Sequence, residues 1–166
     1  IMKDKDLYNI PSEACTKINE WLLKFPDGEK KPAIIYALHL IQKENKYIKS
    51  KHVDALANLL NLKKIDVYEV ASFYSMFELE KVGKHTISVC TNVSCMLKGS
   101  DEILAYLERK LKIKVGTSSD EYFLKDEREC LAACCGAPMM QVDHRYYENL
   151  TKEKVDKIIR DIENEK

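Results

Sequence analysis

Residues 85–95 read His85-Thr86-Ile87-Ser88-Val89-Cys90-Thr91-Asn92-Val93-Ser94-Cys95, and residues 130–142 read Cys130-Leu131-Ala132-Ala133-Cys134-Cys135-Gly136-Ala137-Pro138-Met139-Met140-Gln141-Val142. In the first stretch polar and apolar residues alternate up to Val89, the pattern of a half-buried strand. That strand delivers Cys90 at its end. In the second, Pro138 to Val142 reads as a strand preceded by a cysteine-bearing loop. Four of the six cysteines therefore fall into two short-spaced pairs, Cys90/Cys95 as C-x4-C and Cys130/Cys134 as C-x3-C.

The surrounding residues 83–166 predict an α/β arrangement. Ser100 is a candidate cap for a helix through Leu111, with Asp101 and Glu102 at its positive end and Ile103, Leu104, Leu107 and Leu111 on one face. Gly116 to Asp120 is a turn region. Tyr122-Phe123-Leu124 begins a strand that leads to Cys130. Asp143-His144-Arg145 turns into Tyr146-Tyr147, and Thr151 opens a last helix with Val155, Ile158, Ile159 and Ile162 on one side. The order β-α-β-β-α predicts a right-handed crossover followed by a hairpin, with helices on the faces. A thioredoxin-like sheet has this shape, and in it both cysteine loops leave the same strand ends.

Residues 1–82 predict a small antiparallel helical bundle. Ala14, Ile18, Leu22 and Phe25 recur at helical spacing after a candidate cap at Ser12, and Pro26-Asp27-Gly28 stops the helix. A second helix starts at Pro32 and carries Ala33, Ile34, Ala37, Leu38 and Ile41 up to about Asn45. Ser50 and Asp66 are candidate caps for two more. The aromatic run Phe73-Tyr74-Ser75-Met76-Phe77 reads as core or as a partner-facing patch. His39, His52 and Cys15 have no ligand or nucleophile at matching spacing and read as structural.

Composition narrows the function classes. Lys plus Arg and Asp plus Glu number 27 each, so the net charge is zero and no single-sign field gathers nucleic acid. No apolar run spans a bilayer. The start, Ile1-Met2-Lys3-Asp4, lacks the apolar core of a signal peptide, so clustered cysteines are expected to be metal or redox ligands rather than disulfides. No nucleotide-binding glycine fingerprint is present.

Two close thiolates on each of two distant loops suit a [2Fe–2S] cluster, each iron taking two. Gly99 and Gly136, flanking the loops, are candidates for close backbone approach to the sulfurs, and Asn92 and Ser94 place small polar groups in the first loop. A low-potential centre is expected, a few hundred millivolts negative by order of magnitude. Structural zinc uses overlapping ligand spacings, and at this level both metals stay open. A thiol–disulfide function is disfavoured, because no C-x-x-C occurs. Cys135, adjacent to Cys134, reads as a packed or supporting thiol. His85 and His144 allow a Rieske-type reading that four cysteines make unnecessary.

The stretches V-C-T-N-V-S-C-M-L-K-G-S, E-C-L-A-A-C-C-G-A-P-M-M-Q-V and V-A-S-F-Y-S-M-F resemble the thioredoxin-like [2Fe–2S] subunit of respiratory complex I, the family of the E subunit of NADH-quinone oxidoreductase. The resemblance covers nearly the whole chain. It implies an α+β architecture, with a helical part at 1–82 and a thioredoxin-like ferredoxin domain at 83–166. It implies one [2Fe–2S] cluster on Cys90, Cys95, Cys130 and Cys134. It also implies a flavoprotein partner, the F subunit, bearing FMN, the NADH site and a further cluster, with Val70 to Tyr74 in the contact region. Other peripheral-arm subunits of a quinone-reducing complex would complete the assembly. The expected place is peripheral, on the cytoplasmic side of a bacterial inner membrane or the matrix side in a mitochondrion. An equivalent subunit of an NAD-linked hydrogenase or formate dehydrogenase is the nearest alternative. Where the family commonly has glycine, this chain has Ala132, which would be strained if that position needs a positive φ.

Overall fold

The computed structural model describes residues 9–164. The opening Ile1–Asp4, on which an expectation above was placed, lies outside them. After Lys81 the chain divides into two compact units.

The first unit is helical. It comprises α1 (Ser12–Leu22), a 3-10 turn at Lys31–Ala33, α2 (Ile34–Asn45), α3 (Ser50–Leu60) and α4 (Lys64–Phe73). The apolar stripes close on one another, with Ile18, Leu38, Ile41, Leu56 and Leu60 at the centre of the core. Each such side chain contributes roughly 1.5–3 kcal/mol by leaving water. The second helix, expected from Pro32, opens as the 3-10 turn and becomes α-helical only at Ile34, whereas α1, α3 and α4 begin slightly earlier than their candidate caps suggested. Pro11, Lys49 and Lys63 occupy the cap positions, and Ser12 and Ser50 are the first helical residues. Asp66 acts from inside its helix, accepting the Lys63 N–H at 3.2 Å and pairing with Lys31 at 2.8 Å. His52 does the same at α3: its Nδ1 accepts the Lys49 N–H at 3.2 Å. It is only 1% exposed, and burial pushes its pKa down. The aromatic run divides. Phe77 enters the core, Tyr74 packs against it, and Phe73 and Met76 are exposed with Ile65 and Tyr68 of α4.

The second unit holds β1 (His85–Cys90), α5 (Val93–Leu97), α6 (Ser100–Leu111), β2 (Tyr122–Glu127), β3 (Met140–Val142), β4 (Arg145–Tyr147) and α7 (Lys152–Asn164), with a 3-10 turn at Cys134–Gly136. The sheet order is β2-β1-β3-β4. β1 and β2 are parallel, with His85 opposite Tyr122 and Cys90 opposite Glu127. β3 is antiparallel to β1 and makes a hairpin with β4. The crossover between the parallel strands carries α6, as a parallel pair requires. Ile87, Val89, Leu124, Met140 and Val142 from the strands share one buried cluster with Leu107 of α6 and Val155, Ile158, Ile159 and Ile162 of α7. The two helices are also tied at Asp156, which accepts from Tyr106 at 2.6 Å and Lys110 at 2.9 Å.

Candidate metal centre

Parallel pairing decides where the cysteines go. Because β1 and β2 run in the same direction, both strands leave the sheet at the same end, Cys90 opposite Glu127. Cys90 is the last residue of β1. Three residues beyond the end of β2 stands Cys130. The short third strand closes the arrangement, since Met139 O accepts the Cys90 N–H at 3.1 Å.

The first loop is not a loop throughout. Asn92 caps α5, its Oδ1 accepting the Val93 N–H at 2.9 Å. Cys95 sits on that short helix and is buried. Five residues are too few to show helical periodicity; the readable signal was Asn92, a favoured cap residue. Gly99 joins α5 to α6 with φ +86 and has open space around it, so it serves the turn rather than an approach to sulfur. A Cβ on Gly136 would lie 2.3 Å from the Glu148 carboxylate, so glycine there admits Glu148.

The second loop folds back onto the first. Cys90, Cys95, Ala133 and Met139 form one buried cluster, with Leu131 and Ala137 packed on it. Across the loops, the Cys134 sulfur helps raise the Cys95 thiol and the Cys90 sulfur helps raise the Cys134 thiol. Cys130 and Cys134 are exposed, with their sulfurs 3.3 Å apart. Thus one pair is buried, the other faces solvent, and none of the six cysteines is in a disulfide. Cys135 is exposed, not packed. His85 stands at the opposite end of β1 from Cys90, paired through Nδ1 with Asp143 at 2.5 Å. His144 lies in the β3–β4 turn, so neither histidine belongs to this cluster. Among the described residues, no three His, Cys, Asp or Glu side chains form a ready-made site for one metal ion. What the fold assembles is two pairs.

Hydrogen-bond donors surround the sulfurs. The Ala132 N–H donates to Cys130 Sγ at 3.3 Å, and Ala132 adopts φ +60 to do so. The Met139 N–H works to lower the Cys95 thiol, and the Ser94 hydroxyl, from the other loop, works to lower the Cys134 thiol. Burial above all pushes the Cys95 thiol up to about 11; the Met139 N–H opposes this, and the neighbouring thiols add to it. Cys134 and the Ala132 N–H hold Cys130 below its ordinary value, while Cys134 is raised because it keeps the shared proton. A positive metal centre reverses this protonation, since the thiolate is the ligand.

These features fit an iron–sulfur group. Two thiolates on one tetrahedral metal, with bonds of about 2.3 Å, stand about 3.7 Å apart. Cys130 and Cys134 would need to open by only about 0.4 Å from their present separation. N–H and O–H donors aimed at sulfur are what a cluster of net negative charge needs.

Comparison with known proteins places the chain. The model of the thioredoxin-like [2Fe-2S] ferredoxin family matches residues 18–163. The E subunit of NADH-quinone oxidoreductase from Rickettsia felis is 43% identical over 144 residues, 86% of this chain and 86% of that protein. NADH dehydrogenase [ubiquinone] flavoprotein 2, mitochondrial, of Dictyostelium discoideum is 37% identical over 161 residues, 96% of this chain and 65% of that one. Among solved structures, an NAD+-reducing [NiFe]-hydrogenase in the H2-reduced state superposes with a TM-score of 0.68 at 19% identity. The match takes in 81% of this chain but 23% of the hydrogenase chain, and carries the fold alone. Sequence motif, sheet topology, convergent cysteine pairs and family match agree: this chain belongs to the thioredoxin-like [2Fe-2S] ferredoxin family.

Proposed function

We propose that Cys90, Cys95, Cys130 and Cys134 hold one [2Fe–2S] cluster, the first two on one iron and the last two on the other. The chain then acts as the electron-transfer subunit of an NADH-quinone oxidoreductase, docked beside a flavoprotein subunit that carries FMN and binds NADH. Its place is peripheral, on the cytoplasmic face of a bacterial membrane or the matrix side of a mitochondrial one. Among the described residues no helix is long and apolar enough to cross a membrane, which is compatible with that place.

One observation carries the reading: two thiol pairs, distant in sequence, sit on loops that leave the same end of a parallel strand pair and pack together through Ala133 and Met139, with the Ala132 N–H on the Cys130 sulfur. The cluster, when bound, accepts and returns a single electron. The chain's own residues do the rest. Cys90 and Cys95 supply thiolates from a dry side; Cys130 and Cys134 supply them from the exposed side. The Ala132 and Met139 amides and the Ser94 hydroxyl stabilise negative charge on the sulfurs. NADH oxidation belongs to the assembled complex and is not expected of the isolated chain. The hydrogenase-type assembly is less well supported, since its structural likeness is at 19% identity whereas the respiratory relatives reach 43%.

Anaerobically purified protein should be reddish-brown, contain two irons and two sulfides per chain, and bleach with dithionite. Cys95→Ala should lose the iron. A colourless protein with one zinc per chain, or a Cys95→Ala variant with its full iron content, would overturn the assignment.

A further inference from the structure

The two cysteine loops are also tied together by side chains that would ligate nothing. Beyond the paired strands, the Thr91 N–H still reaches Glu127 O at 3.0 Å. There the backbones part, one entering α5 and the other running toward Cys130. Asn92 bridges the fork. Its Nδ2 donates to Arg128 O at 2.9 Å, and its Oδ1 accepts the Val93 N–H at 2.9 Å. Beside it the Thr91 hydroxyl donates to the Asp126 carboxylate, whose other oxygen takes Arg128 Nε at 3.1 Å.

Asn92 therefore extends the pairing of two strands by one rung after their main chains have diverged. One half of its amide fixes the start of the helix that carries Cys95. The other half holds the carbonyl two residues before Cys130. Only an amide does both: a carboxylate has no donor for a carbonyl, and a hydroxyl has too little reach. We propose that Asn92 is a positioning residue that sets the separation of the two thiolate pairs. The proposal rests on the cluster reading above.

The test uses the full cluster-loaded chain and three variants. Asn92→Ser keeps an acceptor for the Val93 N–H and loses the bond to Arg128. Asn92→Asp matches the native side chain in size, keeps the cap, and turns an acceptor toward the carbonyl. Thr91→Val removes the parallel tie alone. Asn92→Ser should load two irons and, beyond whatever its cluster-free stability loses, shed the cluster to an iron chelator roughly fivefold faster, the factor one neutral hydrogen bond is worth. Its reduced EPR signal should broaden, because the pairs are no longer held at one separation. Asn92→Asp should lose the cluster faster still, and Thr91→Val by a similar or smaller factor than Asn92→Ser. Wild-type loss rates and an unchanged EPR signal in both Asn92 variants would overturn the proposal. So would a fall in cluster-free stability large enough to account for the faster loss. Cys95→Ala keeps the two claims apart. Full iron in that variant sinks the cluster reading itself, whereas its loss alongside a wild-type Asn92→Ser sinks the positioning role alone.

Discussion

Replacing Ala132 by glycine should stabilise the second unit. Ala132 adopts φ +60, the left-handed region, with its N–H on Cys130 Sγ. An alanine there carries a penalty of about 1–2 kcal/mol from its Cβ against the carbonyl that follows. Glycine removes that penalty but adds freedom to the unfolded chain, costing about 0.4–1 kcal/mol. The net gain is about 0.5–1 kcal/mol. For a domain of this size each kcal/mol moves the melting midpoint by about 4–8 °C, so Ala132→Gly should melt roughly 2–8 °C higher. Ala132→Val should do the opposite, because a β-branched side chain tolerates positive φ poorly. Calorimetry or circular dichroism of the cluster-free protein measures both. An Ala132→Gly midpoint at or below wild type, or an Ala132→Val midpoint that does not fall, would refute the strain argument.

Further substitutions probe the centre and the helical unit. Ser94→Ala removes the hydroxyl that works to lower the Cys134 thiol and should lower the reduction potential by about 30–60 mV, a three- to tenfold change in a one-electron equilibrium, read by redox titration. A rise would contradict the stabilising role given to that hydroxyl. Cys135→Ala should keep full iron content, as Cys135 lies beside a pair already complete; iron loss would assign ligation to the wrong neighbour. His52 is held below its ordinary pKa by burial, so its contribution to stability is intact above about pH 6.5 and fades as pH falls toward the depressed value. Urea unfolding of the first unit between pH 7.5 and 5 should show this slope, and His52→Gln should flatten it; an equal slope in the variant would exclude His52.

Elements whose periodicity runs long enough to register were legible in the sequence. The strand to Cys90, the helix from Ser100 and the last helix with its Val155-Ile158-Ile159-Ile162 stripe all stand where the pattern put them. The parallel pair and the hairpin were legible too, because a strand–helix–strand unit followed by a hairpin admits few topologies; the strand order β2-β1-β3-β4 came only with the structure. Helix starts were read a residue or more late, since Ser12, Ser50 and Ser100 have the chemistry of caps yet sit just inside their helices. Helix α5 escaped because five residues hold barely more than one turn. The tie from Asn92 to Arg128 O joins two loops far apart in sequence, and no local pattern encodes it. Glu148 met Gly136 in the same way, through the fold, whereas His52 bonds a residue only three positions before it and was missed because histidine is not a usual partner in that cap pattern.

The parallel pairing of β1 and β2 bears on how such a chain tolerates change. Neighbouring strands lie about 4.8 Å apart whatever joins them, so the sheet fixes where the two cysteine loops start, and the Asn92 bridge carries that spacing on toward the sulfurs. The exposed turn over residues 116–121, between α6 and β2, has no part in that measurement. It can be lengthened, trimmed or recast among descendants of one ancestral sequence while the distance between the pairs stays put. A single residue inserted between β2 and Cys130, by contrast, would shift one half of the centre against the other.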